Sequence, residues 1–372
     1  MICKSIKYTD FRNIRSESID FSPSTTILCG KNAQGKTNML EGVYLFAQGK
    51  SHRAGKESEL IRFGADTARL EMVYESGGRE NKLEMEISGK KRKICSKNGV
   101  KLDKLSEMIG NFRAVMFCPE HLFIVKGGPS ERRSFLDVAI SQLRPVYLRT
   151  LQRYNVILMQ RNALLKSAKG SGSAPALEAW SEQLAEYAAS IAKTRHEYTS
   201  KLSEIASELY SDMTGGKEKL SLAYHGTSRL GGDYTDTSRM KDVYLRQLTE
   251  NTDREILLGS TQYGIHKDDV DIVLNGKDAR FFASQGQQRS IVLTMKLSEG
   301  EYSKRETGEY PVLLLDDILS ELDPSRRSYV VSGIKDRQVI ITSCDTSVSR
   351  RIREGTKYFV KDGSLTNISR NI

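Results

Sequence analysis

No stretch of this chain is apolar over the ~20 residues that a membrane span requires. The opening MICKSIKYTDFRNIR also lacks the apolar core of a signal peptide. These absences argue against an integral membrane protein and an exported one, and a cytoplasmic location is expected. Cysteine is scarce and scattered. The five residues (Cys3, Cys29, Cys95, Cys118 and Cys344) are odd in number and form no C-x-x-C pair, which points to reduced, mostly buried thiols rather than a disulfide framework or a metal site. Acid is short relative to base: 47 Asp and Glu face 57 Lys and Arg, for a formal charge of +10. An acidic partner can use that surplus, and nucleic acid is the first candidate, since no amphipathic anchor for an anionic membrane is evident. What is present describes a soluble globular protein, with 38% hydrophobic and 28% charged residues. A chain of 372 residues is long enough for two domains or one elaborated domain.

The sharpest local signal follows the apolar run TTILC. The segment GKNAQGKT reads as G-x-x-x-x-G-K-[ST] over Gly30, Lys31, Asn32, Ala33, Gln34, Gly35, Lys36 and Thr37. Glycines at the fixed positions let backbone N–H groups face a phosphate, and the helix that follows adds its positive end. Lys36 then reaches the β- and γ-phosphates of ATP, and Thr37 supplies a hydroxyl to Mg²⁺. Met39, Leu40, Val43 and Tyr44 recur at helical spacing behind it.

The chain alternates strands and helices at both ends, with a helical stretch between them. ARLEMVYES, NKLEMEIS and RKICSKNGVKL read as strands, the last turning at Asn98-Gly99. From Glu131 the pattern becomes helical, breaks at Pro145 and resumes with Leu148, Leu151, Tyr154, Leu158 and Leu165. KGSGSAP (Lys169 to Pro175) is a flexible connector. Beyond it Leu177, Trp180, Leu184, Tyr187, Ile191, Tyr198, Leu202, Ile205 and Leu209 form a heptad-like seam, so two helices are expected to pack antiparallel, the second about 35 residues long. The aromatic members of the seam are packing residues.

The strand pattern returns in YPVLLLDDILSELDPSRR. Asp316 and Asp317 end a buried strand, where a parallel sheet places ligand groups. An apolar run ending in acid is the Walker B arrangement: Asp316 would hold Mg²⁺ and Asp317 would orient the attacking water. The great separation of Lys36 from Asp316 in sequence implies a large insertion. Before the strand, FFASQGQQRS resembles the signature motif of ABC-type ATPases, with Gln285 in place of a glycine. That resemblance implies that Ser284, Gly286 and Gln287 meet the γ-phosphate held by a second copy of the chain, so that ATP joins two heads. SELD (Ser320 to Asp323) resembles the D-loop of the same superfamily.

Six stretches, in order and over nearly the whole chain, are similar to the RecF family: FRNIRSESIDF, GKNAQGKTNMLEGVYLFAQGKSHR, FCPEHLFIVKGGPSERRSFLD, GIHKDDVDIVLNG, FFASQGQQRS and LLLDDILSELDPSRR. The resemblance implies an α/β fold, an ABC-type P-loop ATPase head (1–125 and 270–372) carrying an inserted helical hairpin domain (126–269). It implies an ATP-dependent homodimer on single-stranded or gapped DNA, acting with RecR and RecO to load a recombinase in recombinational repair and replication-fork maintenance. Two other readings are an ABC ATPase subunit coupled to a membrane permease and a nucleotide-gated adaptor that does not hydrolyse ATP. Asp317 stands where many ABC ATPases have Glu, which suggests slow hydrolysis. Ser343 or Cys344 stands where a switch histidine would often follow, and Glu120 is the nearest Q-loop candidate. For DNA contact, KKRKICSKNGVKLDK is the richest basic run. Lys91 and Lys93 are expected on one face of a hairpin, either on DNA or as solvated edge residues. Arg132 and Arg133 either couple nucleotide to DNA or pair with acids such as Asp137. His266 is either a site residue or a satisfied loop histidine.

Overall fold

A computed structural model describes residues 1–167, 174–226, 233–318, 322–333, 336–345 and 355–370. The chain forms two compact units, 1–122 with 285–372 and 123–284. The first unit opens with β1 (Ile2–Phe11), β2 (Ile14–Asp20), β3 (Thr25–Cys29), α1 (Lys36–Gln48), β4 (Thr67–Ser76), β5 (Arg79–Ser88), β6 (Ile94–Lys97), β7 (Val100–Lys101) and β8 (Ala114–Phe117). The second unit holds α2 (Phe123–Lys126), α3 (Pro129–Leu143), α4 (Pro145–Ser167), α5 (Ala174–Thr214), β9 (Leu220–His225), α6 (Thr237–Glu250), α7 (Thr252–Leu258), β10 (Asp269–Leu274), β11 (Lys277–Asp278) and α8 (Ala279–Phe282). The chain then returns to the first unit with α9 (Gln285–Thr307), β12 (Val312–Asp316), α10 (Pro324–Gly333), β13 (Val339–Ser343), β14 (Thr356–Lys361) and β15 (Ser364–Arg370).

The first unit has two sheets. One is antiparallel, in the order β2-β1-β4-β5-β6-β7, and the other runs β15-β14-β3-β13-β12-β8. In the second sheet β14, β3, β13, β12 and β8 are parallel neighbours, and β15 closes one edge antiparallel. All five residues of β3, β12 and β13 are buried, as expected of parallel strands covered on both faces. In β4 exposed and buried residues alternate at first, which gives an antiparallel sheet one wet face. Helix α1 is buried at every position from Met39 to Ala47, so it is a core helix rather than an amphipathic surface one. Its Met39, Leu40 and Val43 share one apolar cluster with Ile6, Leu70 and Met85 of the antiparallel sheet and with Leu28, Leu314 and Ile340 of the parallel one. The Asn98-Gly99 turn has both residues at positive φ, 51° and 80°, as a two-residue hairpin requires.

In the second unit α4 and α5 form the expected hairpin. Arg195 contacts Tyr147, Ser181 contacts Arg161 and Leu177 packs on Leu165, so each advance along α4 is matched by a retreat along α5, and the pair is antiparallel. Helix α5 has 41 residues, roughly 60 Å at 1.5 Å per residue, longer than the seam alone suggested. Leu177, Leu184, Ile191, Tyr198 and Leu202 are buried along it. The connector residues 169–173 lie outside the described residues. The insertion also runs further than its sequence pattern marked: β10 pairs with β9 rather than with the parallel sheet, so the second unit continues to Ser284.

Charge is buried inside this helical unit. Arg161 and Glu255 are both fully buried, 2.6 Å apart, and Arg161 also donates to Thr261 and Ser181. Arg195 joins Asp137, Tyr147 and the Ile265 carbonyl. Removing one member of such a pair strands the other charge away from water, which costs about 3–5 kcal/mol. Glu255→Ala should therefore lower the urea midpoint of the second unit's unfolding by an amount equivalent to that loss. A change below about 1 kcal/mol, the range of surface pairs, would mean that this ion pair does not hold the unit together.

Candidate nucleotide site

The loop between β3 and α1 is built by close approach. A Cβ on Gly30 would lie 2.4 Å from the Val360 carbonyl oxygen, so no other residue fits there. Gly35 has φ 105°, and a Cβ would lie 2.8 Å from the Asn13 side chain, so both backbone conformation and space demand glycine. Residues Asn32 to Asn38 then line a cavity of about 500 Å³, completed by Asn13, Arg53, Asp317, Thr342 and Cys344.

Lys36 is buried, and its Nζ donates to the carbonyl oxygens of Gly30 at 2.7 Å and Lys31 at 2.8 Å. Thr37 Oγ1 donates to Asp316 Oδ1 at 2.9 Å across 279 positions of sequence. Thr342 Oγ1 donates to the same oxygen at 2.6 Å and accepts the Asp317 N–H at 3.0 Å. Parallel pairing explains the convergence: Thr342 of β13 stands beside Asp316 of β12 on one side and Leu28 of β3 on the other. Burial pushes the Asp316 carboxyl above its usual range, against the lowering effect of the hydrogen bonds from Thr342 and Thr37. A buried carboxylate flanked by hydroxyls suits a hard divalent cation, which takes oxygen ligands and would relieve the cost of the charge.

Asp317 lines the cavity at φ 52°, a left-handed conformation that costs a non-glycine residue about 1 kcal/mol. The cost is held at the point where an acid faces the cavity. Cys344 is exposed there, and its Sγ meets Asn32, Asp317 and Lys36. Ser343, the other residue considered for the switch position, is buried and exchanges hydrogen bonds with the backbone of Asp345. Gly286 and Gln287 open α9 and do not line this cavity. Ser284 is the last residue of the second unit. Ser320 and Glu321 of the SELD segment lie outside the described residues; Asp323 accepts from the Arg326 N–H and caps α10.

Sequence reasoning missed Asn13, Asn38, Arg53 and Thr342. Arg53 is set by a buried network. Glu41 of α1, with no exposed surface, takes a two-pronged hydrogen bond from Arg12 at 2.9 and 2.8 Å and a bond from Ser51. Ser51 Oγ in turn accepts from the Arg53 and Ala54 N–H groups, and Arg53 donates to Asn38. Burial pushes Glu41 up, but the hydrogen bonds from Arg12 and Ser51 outweigh it and leave the carboxyl below its usual range. The visible signal is an acid inside the otherwise apolar run Met39–Ala47 of α1.

Several other readings are corrected or resolved. Lys93 is not on a strand, since β6 starts at Ile94; its ammonium is buried, paired with Glu57 at 3.0 Å and bonded to the Gly49 carbonyl. It is therefore not available to share a DNA-facing row with Lys91. Arg132 forms a bidentate pair with Asp269 and Arg133 donates to the Asp268 carbonyl, while Asp137 is held by Arg195. His266 bonds Tyr154 and the Thr261 carbonyl, and burial lowers its pKa to about 4, so it is a neutral structural residue.

The pattern described as the RecF/RecN/SMC N terminal domain matches residues 2–366. The DNA replication and repair protein RecF of Ruminiclostridium cellulolyticum is 41% identical over 92% of each chain, and that of Clostridium beijerinckii is 38% identical over the full length of both. The chain belongs to the RecF family. Among solved structures, the recombination mediator protein RecF with ATP in the RecFOR pathway matches with a TM-score of 0.92 at 35% identity, covering 99% of this chain and 98% of that one. An Smc head domain from Pyrococcus furiosus matches with a TM-score of 0.58 at 15% identity, over 99% of this chain and 96% of the other, a likeness of fold alone. The α/β architecture is thus the ABC-type ATPase head of the RecF and SMC group with a helical insertion. Among the described residues no helix is long and apolar enough to cross a membrane.

Lys36→Ala removes the cavity's buried ammonium and should weaken ATP binding by roughly 1.5–3 kcal/mol, the range of a charge-assisted hydrogen bond. Equilibrium titration of the folded variant with ATP and Mg²⁺ checks this, and unchanged affinity would remove Lys36 from phosphate binding.

Proposed function

We propose that the chain is an ATP-gated DNA-binding protein of recombinational repair and replication-fork maintenance. ATP binding closes a homodimer on single-stranded or gapped DNA, and slow hydrolysis releases it. The observation that carries the nucleotide half is the Thr37–Asp316 hydrogen bond, which joins the start of the phosphate-loop helix to the acid ending a distant strand. The names of its relatives, DNA replication and repair proteins and a recombination mediator with ATP, support the biological half.

In this reading the Gly30–Thr37 backbone cradles the phosphates, and Lys36 exchanges the Gly30 and Lys31 carbonyls for phosphate oxygens. Arg53 supplies a second cation from its anchored loop. Thr37 and Asp316 would hold Mg²⁺, which when bound spreads the charge of the reacting phosphate. Asp317 accepts a hydrogen bond from the attacking water and fixes its approach; its carboxylate reaches one methylene less far than a glutamate's, which slows the step. Ser284, with Gly286 and Gln287 at the first turn of α9, meets the γ-phosphate held by a second copy, where helix N–H groups favour an anion. Loading of a recombinase with RecR and RecO belongs to the same proposal, supported by the RecFOR pathway named for a similar structure. A permease-coupled subunit is disfavoured by the full-length match to RecF proteins.

Phosphate release measured with and without gapped duplex DNA tests this reading. DNA alone should stimulate turnover, and Asp317→Asn should retain ATP while turning over at least tenfold more slowly. No response to DNA, or parental turnover by the variant, would contradict it.

A further inference from the structure

Among the described residues, five arginines of the second unit form ion pairs: Arg132 with Asp269, Arg144 with Glu197, Arg161 with Glu255, Arg195 with Asp137 and Arg239 with Asp233. Arg149 and Arg153 of α4 form none there, nor do the exposed Arg246 and Arg254, but those two stand on helices that also carry acids. Arg149 and Arg153 are both exposed. They stand four residues apart, where like charges destabilise a helix. The 23 residues of α4 include no Asp or Glu to offset them. Lys166, also exposed, adds a third cation near the helix end, and the solvent side between them presents the amides of Gln152, Asn155 and Gln160 together with the exposed side chains of Val156 and Met159. Its hairpin partner is mainly acidic toward solvent, with Glu178 and Glu186 exposed along α5 and Lys201 paired with Glu204.

We propose that the solvent face of α4 is the surface through which the helical unit meets the sugar–phosphate backbone of DNA. Arg149 and Arg153, one helical turn apart, each reach a phosphate, and the neighbouring amides donate to further phosphate oxygens without reading sequence. Charge complementarity carries the choice. A face of cations and amides, interrupted by Val156 and Met159 but lacking any acid, suits a polyanion, and the chain carries a surplus of ten positive charges. The glutamates of α5 exclude the same backbone, so the arm approaches DNA with one of its two helices. The inference rests on the DNA-binding reading given above and adds to it the surface used.

The test is the salt dependence of binding to a gapped duplex, using the full chain and the Arg149→Gln/Arg153→Gln double variant. Both substitutions are on the surface and keep good helix formers. The variant's log–log slope should fall by about two, one for each lost phosphate contact, with ATP affinity unchanged. A Glu178→Gln/Glu186→Gln protein should keep the parental slope. A double-arginine variant with the parental slope and affinity overturns the inference while leaving the DNA-binding reading intact. A parent that does not bind the duplex overturns both, and one whose binding shows no salt dependence overturns the inference alone. Parental DNA binding combined with loss of self-association in sedimentation would mean that α4 meets a second copy of the chain, and the inference is then wrong.

Discussion

One carboxylate oxygen joins the parts of the nucleotide site. Asp316 Oδ1 accepts from Thr37 at the start of α1 and from Thr342 on β13. Three segments far apart in sequence are thereby held around one buried anion. The strand order makes this possible, because β13 lies between β3, which leads into the phosphate loop, and β12, which ends in Asp316. The oxygen is desolvated and its carboxyl titrates high as a result, so the site carries an electrostatic deficit that a cation relieves. The same threonine that bonds Asp316 also fixes the Asp317 N–H, which holds the second acid in its left-handed conformation facing the cavity.

A second layer of buried polar contacts sits one step further out. Glu41, surrounded by the apolar residues of α1, anchors Arg12 and Ser51, and through Ser51 the loop carrying Arg53. A buried ion pair is weak evidence for stability, since desolvation offsets much of its attraction. Its value here is geometric: it sets where a loop cation stands relative to the cavity. The helical unit uses the same device twice, with Arg161 and Arg195 fixing the segment from Glu255 to Ile265. Buried charge thus holds the loop of Arg53 in the first unit, and α7 with the residues that follow it in the second.

The sequence disclosed what short stretches of chain determine by themselves. Gly30 to Thr37 was legible because glycine is demanded by close approach and by positive φ, both local requirements. The strand ending in Asp316 and Asp317 was legible as an apolar run with acids at its end, and the α4–α5 hairpin as a seam with a connector. Thr342 was not legible, since only the register of β12 against β13 brings it to Asp316. Lys93 departs from strand alternation because its segment precedes β6, and its ammonium turns inward to Glu57. Cys344 and Ser343 are neighbours that sequence could not separate; backbone direction at the end of β13 sends one into the cavity and the other to Asp345. The end of the insertion was misplaced for a similar reason, because β10 resembles a strand of the head until its partner β9 is known.

The composite site, in which Ser284 acts on nucleotide held by another copy, is the central claim. Sedimentation of the parent and of Ser284→Arg, each with a slowly hydrolysed ATP analogue and with ADP, tests it most directly. The parent should dimerise with the analogue and stay monomeric with ADP. Ser284→Arg should stay monomeric with both while each monomer still binds ATP with near-parental affinity. A Ser284→Arg protein that dimerises as well as the parent, or a parent that remains monomeric with the analogue, would contradict the composite site.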